Sequence, residues 1–229
     1  MRMKILPRPI LVALCLILTA APPRKAAHQG VEVQFDAAAY GILHFQLIPK
    51  APEGIDPKVA EWWNKCQPFN GIAKKIADRS LNLVSSINRH IWDGKKFSHP
   101  DVVKRAAELE QVEKERAELK KQFLAWLREG KENSYSVPLP DGGPRFLLRA
   151  QTRYTESARM RRITGAILLD MIFRDDGTVD TLKALKTLPD KGLVENTFYA
   201  AKLNIFIPSI KNGKFMTVSR QVEYPLFLY

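Results

Sequence analysis

Few residues in this chain have the types and the spacing that catalysis requires. The sequence contains four scattered histidines, His28, His44, His90 and His99. Their separation does not suit a metal site, which usually draws ligands from short, regular spacings. Asp175 and Asp176 form an adjacent carboxylate pair, but Asp176 is followed by Gly177, and an Asp-Gly pair between two apolar runs is typical of a hairpin turn.

Known catalytic and nucleotide-binding patterns are also missing from the sequence. It has no phosphate-binding glycine loop, no nucleophile elbow and no dinucleotide-binding glycine motif. Cys66 follows Trp62 and Trp63 on a predicted helix, a position typical of a buried and unreactive thiol. We therefore predict no catalytic residue, no metal ligand and no cofactor, and we do not expect an enzyme.

The positive charge of the protein is concentrated at its two ends. The net charge is +12, yet residues 28–143 carry 17 basic and 16 acidic groups, whereas residues 144–229 carry 14 basic and 8 acidic groups. A basic protein can bind nucleic acid or an anionic membrane. The sequence has no zinc-finger spacing, no aromatic RNA-binding run and no helix lined with Lys and Arg. We predict no nucleic-acid partner and interpret the C-terminal excess as a solvated surface, with an acidic protein partner as the alternative.

The first 23 residues have the composition of a secretory signal. Positive charge near the N-terminus comes from Arg2, Lys4 and Arg8. The apolar core that follows, residues 10–21, is shorter than the ~20 residues of a membrane-spanning helix. We predict cleavage near Ala20 or Ala21 and export to the periplasm. The alternative is a retained segment that anchors the protein in the inner membrane, the one case in which we expect membrane association.

The next part of the chain divides into a leader and a helical region. Residues 24–55 are predicted to form a leader with short strands at 31–35 and 40–48, followed by a proline-containing linker. Residues 56–130 are predicted to be helical, because apolar residues recur there at three- and four-residue steps. The simplest interpretation is a helical hairpin packed through its apolar stripes, and a partner-binding coiled coil is the alternative. Residues 131–144, rich in Pro, Gly and Ser, are predicted to be a linker.

The last third of the chain, residues 145–229, alternates in the manner of a small sheet. A run at 165–173 has one apolar face, formed by Ile167, Leu169, Met171 and Phe173. A second strand follows the turn at Asp176 and Gly177, and a change of parity between Val179 and Leu182 predicts a bulge. A helix at 193–203 and a loop at 204–213 lead to a final strand at 216–224. Pro225 predicts that this strand lies at a sheet edge.

A short helix is also predicted before the hairpin, at 154–163. The resulting order of helix, hairpin, helix and strand resembles the C-terminal domain of the TonB family of bacterial energy transducers. Residues at positions typical of the family are Tyr154, Ala158, Arg161, Arg162, Gly165, Asp176, Gly177, Phe206, Pro208 and Gly213. The sequence departs from the pattern at Thr155, where proline is usual, and at Asn204, where tryptophan is frequent. The resulting fold prediction is α+β, with a helical N-terminal region before an antiparallel three-stranded sheet and two helices.

The resemblance also implies a function. In the family, the last strand recruits a short segment of an outer-membrane receptor. The corresponding residues on one face of the last strand are Met216, Val218, Arg220, Val222 and Tyr224. We therefore expect an exported envelope protein that binds a protein partner by β-strand addition, in transport across the outer membrane.

Two alternatives remain open. The edge strand can be covered by the N-terminal region or pair with itself in a homodimer. The protein can also serve assembly of the envelope, with the helical region carrying the interaction and the TonB-like module only packing or dimerising.

Overall fold

The computed structural model describes residues 42–96 and 98–227. Helices dominate the first half of this range and antiparallel strands the second half, which confirms the α+β prediction. All of the described residues fall within one compact unit, Val33–Tyr229. The predicted signal at 1–23 and the predicted strand at 31–35 lie outside the described residues.

Three helices form the helical region: α1 (Pro57–Asn64), α2 (Gln67–Trp92) and α3 (Pro100–Glu132). A carboxylate oxygen of Asp56 accepts hydrogen bonds from the first backbone N–H groups of α1. The second helix, α2, begins at Gln67, within the region predicted to be helical. Pro68 lies in the first turn of the helix, where proline is tolerated because that N–H has no helical partner.

A cluster of tryptophans packs α1 against α3. The indole rings of Trp62 and Trp126 stack with their centroids 5.3 Å apart. Each indole N–H donates to the other residue's backbone carbonyl, at 3.0 and 2.9 Å. Gly130 of α3 leaves room for this stack, because a Cβ there would lie 1.9 Å from the Trp62 ring. The apolar side of α3 is therefore buried inside the protein.

The C-terminal part contains the predicted three-stranded sheet. Its strands are β3 (Gly165–Phe173), β4 (Val179–Lys186) and β8 (Val218–Leu226), and their order is β4-β3-β8, antiparallel throughout. Two short helices accompany it, α4 (Glu156–Met160) and α5 (Lys191–Leu203). The register of β4 shifts twice against β3, and one of these shifts coincides with the bulge predicted from the change of parity.

A second sheet and a hairpin complete the fold. The sheet has the order β1-β2-β5, formed by β1 (Leu43–Phe45), β2 (Arg145–Ala150) and β5 (Ile205–Ile207). The hairpin consists of β6 (Ser209–Lys211) and β7 (Lys214–Met216). The predicted loop at 204–213 is therefore wrong. All three residues of β5 are buried, so this strand has no alternation for sequence reasoning to detect.

The helices pack directly on the C-terminal strands. A Cβ on Gly177, at the turn between β3 and β4, would lie 2.6 Å from Leu127 of α3. Lys131 of α3 forms an ion pair with Asp175 of the same turn at 2.5 Å. The predicted linker is also engaged, since the N–H of Val137 donates to the carbonyl of Gly213 at 2.7 Å. The domain boundary at 131–144 stays a prediction.

Candidate functional site

The last strand, β8, forms one end of the β4-β3-β8 sheet. Its nine residues pair with β3 in an unbroken register, from Val218 opposite Phe173 to Leu226 opposite Gly165. No bulge interrupts this ladder. Within residues 42–96 and 98–227, β8 pairs with β3 and with no other strand. Its second edge is therefore open to pairing as far as the described part of the chain is concerned.

Two hydrogen bonds determine which way the backbone groups of β8 point. The N–H of Arg174 donates to the carbonyl of Thr178 at 2.9 Å, on the β4 side. The N–H of Asp175 donates to the hydroxyl of Thr217 at 3.1 Å, on the β8 side. Backbone groups alternate along a strand, so the odd-numbered residues of β3 face β8 and the even-numbered residues face β4.

The same alternation applies to β8 itself. The partners of the odd-numbered β3 residues turn their N–H and C=O groups toward β3, and they are Val218, Arg220, Val222, Tyr224 and Leu226. The residues between them, Ser219, Gln221 and Glu223, turn these groups toward the open edge. Pro225 belongs to the second set, which is the one orientation in which its missing N–H costs no ladder bond with β3.

The residues predicted from one parity of the final strand divide between two strands. Met216 lies in β7, where it pairs with Ser209, so the predicted strand at 216–224 is interrupted at Thr217. Val218 and Val222 are half-buried on the inner face of β8, and Tyr224 is buried there. Arg220 shares this parity but is exposed. The side chains of Val218, Val222 and Tyr224 face the protein, so any strand added at the edge would meet mainly the main chain of β8.

A buried polar pair fixes the inner face of β8. The side-chain oxygen of Asn204 accepts the N–H of Ala150 in β2 at 3.0 Å. The amide nitrogen of Asn204 donates to the hydroxyl of Tyr224 at 3.4 Å. Burial raises the pKa of the Tyr224 hydroxyl, which therefore stays neutral to a higher pH than the hydroxyl of an exposed tyrosine. Asn204 thus connects the two sheets through the strand that carries the open edge.

The family-typical residues form turns and core. Tyr154 donates its hydroxyl to the carbonyl of Ile163 at 2.8 Å and closes the segment around α4. An Asp176 carboxylate oxygen accepts the N–H of Thr178 at 2.9 Å within the β3-β4 turn. Gly165, Gly177 and Gly213 all have positive φ, which L side chains rarely adopt. Ala158 and Phe206 are fully buried, and Pro208 separates β5 from β6.

At Thr155 and Asn204 the sequence departs from the family pattern, and sequence reasoning did not predict what these two residues do in the structure. Thr155 caps α4, and its hydroxyl bonds a carboxylate oxygen of Asp190 at 3.0 Å. Asp190 also forms an ion pair with Arg161 at 2.6 Å and caps α5. The signal for the first role was present, because Thr followed by three helix-compatible residues is an N-cap pattern. No pattern in the sequence predicted that Asn204 would bond both Ala150 and Tyr224.

The described residues offer little chemistry beyond this edge. In residues 42–96 and 98–227 there is no group of three His, Cys, Asp or Glu side chains placed to hold a metal ion. The thiol of Cys66 is fully buried, and burial raises its pKa to about 12. A thiol with that pKa stays protonated and is a poor nucleophile. Over the same range, no helix combines the length and the apolarity needed to cross a membrane.

Comparison with known proteins agrees with the geometry of the C-terminal part. Residues 150–226 match the family model of the Gram-negative bacterial TonB protein C-terminal domain. This range runs from the end of β2 to the end of β8 and includes α4, the β3-β4 hairpin and α5. A search of curated proteins finds no match to the chain. The C-terminal part of this protein is therefore a TonB C-terminal domain, preceded by a helical region that lies outside the family match.

Proposed function

We propose that this protein acts in the periplasm of the bacterial envelope, where its TonB C-terminal domain binds a partner protein by β-strand addition to β8. The role belongs to transport across the outer membrane, and the partner is an extended segment of an envelope protein such as an outer-membrane receptor. The protein acts through binding and needs neither catalysis nor a cofactor. A TonB-like envelope protein is what the family match supports in general terms.

One observation carries this proposal. The backbone groups of Ser219, Gln221 and Glu223 point away from β3 at an edge without a bulge, so an extended peptide finds donors and acceptors at a regular two-residue spacing. Affinity in such pairing comes from main-chain hydrogen bonds. The exposed side chains of the same residues stand on the outer face of the sheet, where they do not block an approaching strand.

The open edge also defines a sharp experiment. Gln221→Pro removes one outward N–H while leaving the ladder with β3 intact, and Pro225 is a natural example of the same arrangement in the same strand. Gln221→Ala is the matched control, because it removes the side chain and keeps the N–H. The full-length Gln221→Ala variant should capture the partner from envelope extracts as well as the wild-type protein does. The full-length Gln221→Pro variant should capture at least tenfold less partner.

Two results would contradict strand addition. Capture that survives Gln221→Pro would remove the main-chain explanation, since one of the few outward N–H groups would be missing. Equal loss with both variants would place the interaction in the Gln221 side chain. Unfolding midpoints in urea should agree for both variants, so that loss of binding is not loss of fold. Proline at Val218 or Val222 would not serve, because those N–H groups face β3.

Pairing between two copies is the second candidate for this edge. An exposed strand can pair with itself across a two-fold axis and form a homodimer. Sedimentation velocity of the wild-type protein and of Gln221→Pro decides between the candidates. A dimer that the proline variant abolishes would favour self-pairing, and a concentration-independent monomer would favour a different protein as the partner.

An assembly role carried by the helical region is the remaining alternative. Two large apolar side chains of α2, Ile72 and Leu81, are exposed and could contact another protein. Deletion of the helices is a poor test, because β1, α3 and the turn at Gly177 pack with the C-terminal strands. Ile72→Ser with Leu81→Ser is the better variant. Loss of partner capture with this variant, and retention with Gln221→Pro, would favour the assembly role.

A further inference from the structure

A cavity of about 550 Å³ opens at the C-terminal end of β8. Its walls come from three parts of the chain: the C-terminal half of α2, the segment from the end of β2 through α4, and the last described residues of β8. Aromatic surface is prominent, since Trp92 is 83% exposed and Phe227 is 60% exposed. The volume lies within the range of ligand-binding sites, roughly 300–1,000 Å³.

The charged side chains that the described residues contribute to this cavity are all basic. The described residues that line it include Arg153, Arg159 and Arg162 and no Asp or Glu. Arg159 lies 3.9 Å from Glu156, a distance that leaves most of its donors unused. Among the described residues, no ion pair or side-chain hydrogen bond involves the guanidinium of Arg162. The neighbouring Arg161 is held by Asp190 and does not line the cavity.

Pro225 places this cavity at the point where an added strand must leave the sheet. The outward N–H groups of β8 end at Glu223, because Pro225 has none to offer. A peptide that pairs along Ser219, Gln221 and Glu223 therefore meets the last outward N–H of β8 next to Pro225, which lines the cavity with Phe227. One or two further residues, at ~3.3 Å each, bring its next side chains into the opening.

We propose that this cavity is a specificity site for the partner peptide. It binds an aspartate or glutamate side chain through Arg159 and Arg162, and an adjacent aromatic or large aliphatic side chain against Trp92 and Phe227. Carboxylate–guanidinium bonds are stronger than neutral hydrogen bonds and add direction. Main-chain pairing alone reads little sequence, so this site supplies the selectivity that β8 lacks. The inference rests on strand addition at β8.

The helical region thereby gains a role in binding. Trp92, Asn88 and Val84 belong to α2, outside the part of the chain that matches the TonB C-terminal domain family. Without α2, one wall of the cavity is missing. The helices complete a pocket at the end of the binding edge, so we infer that they set which peptide the domain accepts.

Peptide selection tests the proposal. Random 12-residue peptides displayed on phage are selected against the full-length protein, and one selected peptide is synthesised for fluorescence-anisotropy titration. We expect an Asp or Glu beside an aromatic or large aliphatic residue at one end of the selected sequences. Arg159→Gln with Arg162→Gln should weaken binding of that peptide at least tenfold. The matched control, Lys121→Gln with Arg128→Gln on α3, removes the same charge elsewhere and should change the affinity less than twofold.

A double-mutant cycle makes the result specific. Replacing the acidic residue of the peptide by its amide should weaken binding to wild-type protein tenfold and should have no further effect on the Arg159→Gln and Arg162→Gln variant. Selected peptides without an acidic residue, or additive effects of the two changes, would overturn the specificity site and leave strand addition standing. Peptide affinity unchanged by Gln221→Pro would instead overturn strand addition, and with it the placement of the acid at a strand end.

A lipid headgroup is the competing occupant. Co-sedimentation with phosphatidylglycerol vesicles, for the wild-type protein and both double variants, provides that comparison. Vesicle binding that depends on Arg159 and Arg162, together with no acidic preference among selected peptides, would overturn the peptide assignment. Equal vesicle binding by both double variants, together with the peptide coupling above, would support it.

Discussion

The two edges of the β4-β3-β8 sheet differ in regularity. Along β4 the register against β3 shifts twice, and its exposed residues include Lys183 and Lys186. Along β8 nine pairs run without a shift. Bulges and lysines are the common devices by which proteins blunt a sheet edge against unwanted pairing. One edge of this sheet therefore carries both devices, and the other carries neither over most of its length.

The difference shows how a strand can have an unpaired edge and still resist uncontrolled pairing with other chains. The outward N–H groups of β8 are limited to Ser219, Gln221 and Glu223, because Pro225 has no N–H. In the proposed function this short edge binds one peptide, while it offers few hydrogen bonds to a growing aggregate. The inner face of the same strand is firmly held, since Tyr224 is buried and bonded to Asn204. Specificity then has to come from outside the ladder, which is the role we assign to the arginine-lined cavity.

Proline substitutions in β8 should give the largest change in stability and test which backbone groups face β3. Val222→Pro removes an N–H that faces β3 and should destabilise the protein by on the order of 3 kcal/mol, the cost of a proline inside a hydrogen-bonded element. Gln221→Pro, one residue away, should stay within about 1 kcal/mol of wild type because its N–H is already unpaired. Urea unfolding followed by circular dichroism measures both. A larger destabilisation by Gln221→Pro than by Val222→Pro would mean that the backbone orientation of β8 is reversed, and equal destabilisation would mean that neither N–H has the predicted role.

Asn204 should be the next most sensitive position. Asn204→Ala leaves the buried N–H of Ala150 without its acceptor and removes the partner of Tyr224, at a cost of about 1–3 kcal/mol. Asn196→Ala is the matched control, because the half-buried Asn196 donates one hydrogen bond to the carbonyl of Arg153. It should cost about 1 kcal/mol or less. Equal unfolding free energies for both variants would deny Asn204 its role in anchoring β8.

The sequence predicted those elements whose patterns are local. The apolar parity of β3, the Asp-Gly turn and the parity change at the β4 bulge are each visible within a few residues, and all three agree with the structure. Pro225 correctly pointed to a strand at the end of the sheet. The three-stranded sheet with two helices follows from such signals because each one reflects a preference of the backbone or a buried face.

What the sequence did not predict depends on contacts between distant segments. β5 is buried on every side, so it lacks alternation, and its pairing with β2 joins residues some 60 positions apart. The break at Thr217 divides a run whose alternation continues across it. Asn204 forms its bonds with Ala150 and Tyr224, neither of which is near it in the chain. The cavity at the end of β8 is lined by residues of α2, α4 and β8, so the pattern of no single segment could predict it.

Amide hydrogen exchange should distinguish the two edges of the sheet residue by residue. The amides of Ser219, Gln221 and Glu223 should exchange at least tenfold faster than those of Arg220, Val222 and Tyr224, because only the second set faces β3. Along β4 the two bulges should interrupt any such alternation. Addition of a bound peptide should slow the first set of amides selectively. Uniform protection along β8 in the free protein would mean that another segment already covers the edge.

The smallest predicted effect is a loss of unfolding free energy at alkaline pH, caused by Tyr224 on the inner face of β8. Burial raises the pKa of Tyr224, so above about pH 10 the unfolded chain loses this proton while the folded protein keeps it. The unfolding free energy contributed by this group is then fully present below about pH 10 and falls as pH rises further, by at most about 1.4 kcal/mol per pH unit. Tyr224→Phe should remove this part of the decline in the unfolding free energy, measured by urea unfolding at pH 9–11. A decline identical in the wild-type protein and the Tyr224→Phe variant would show that Tyr224 titrates equally in the folded and unfolded states, and its hydroxyl would then be no buried anchor for the strand.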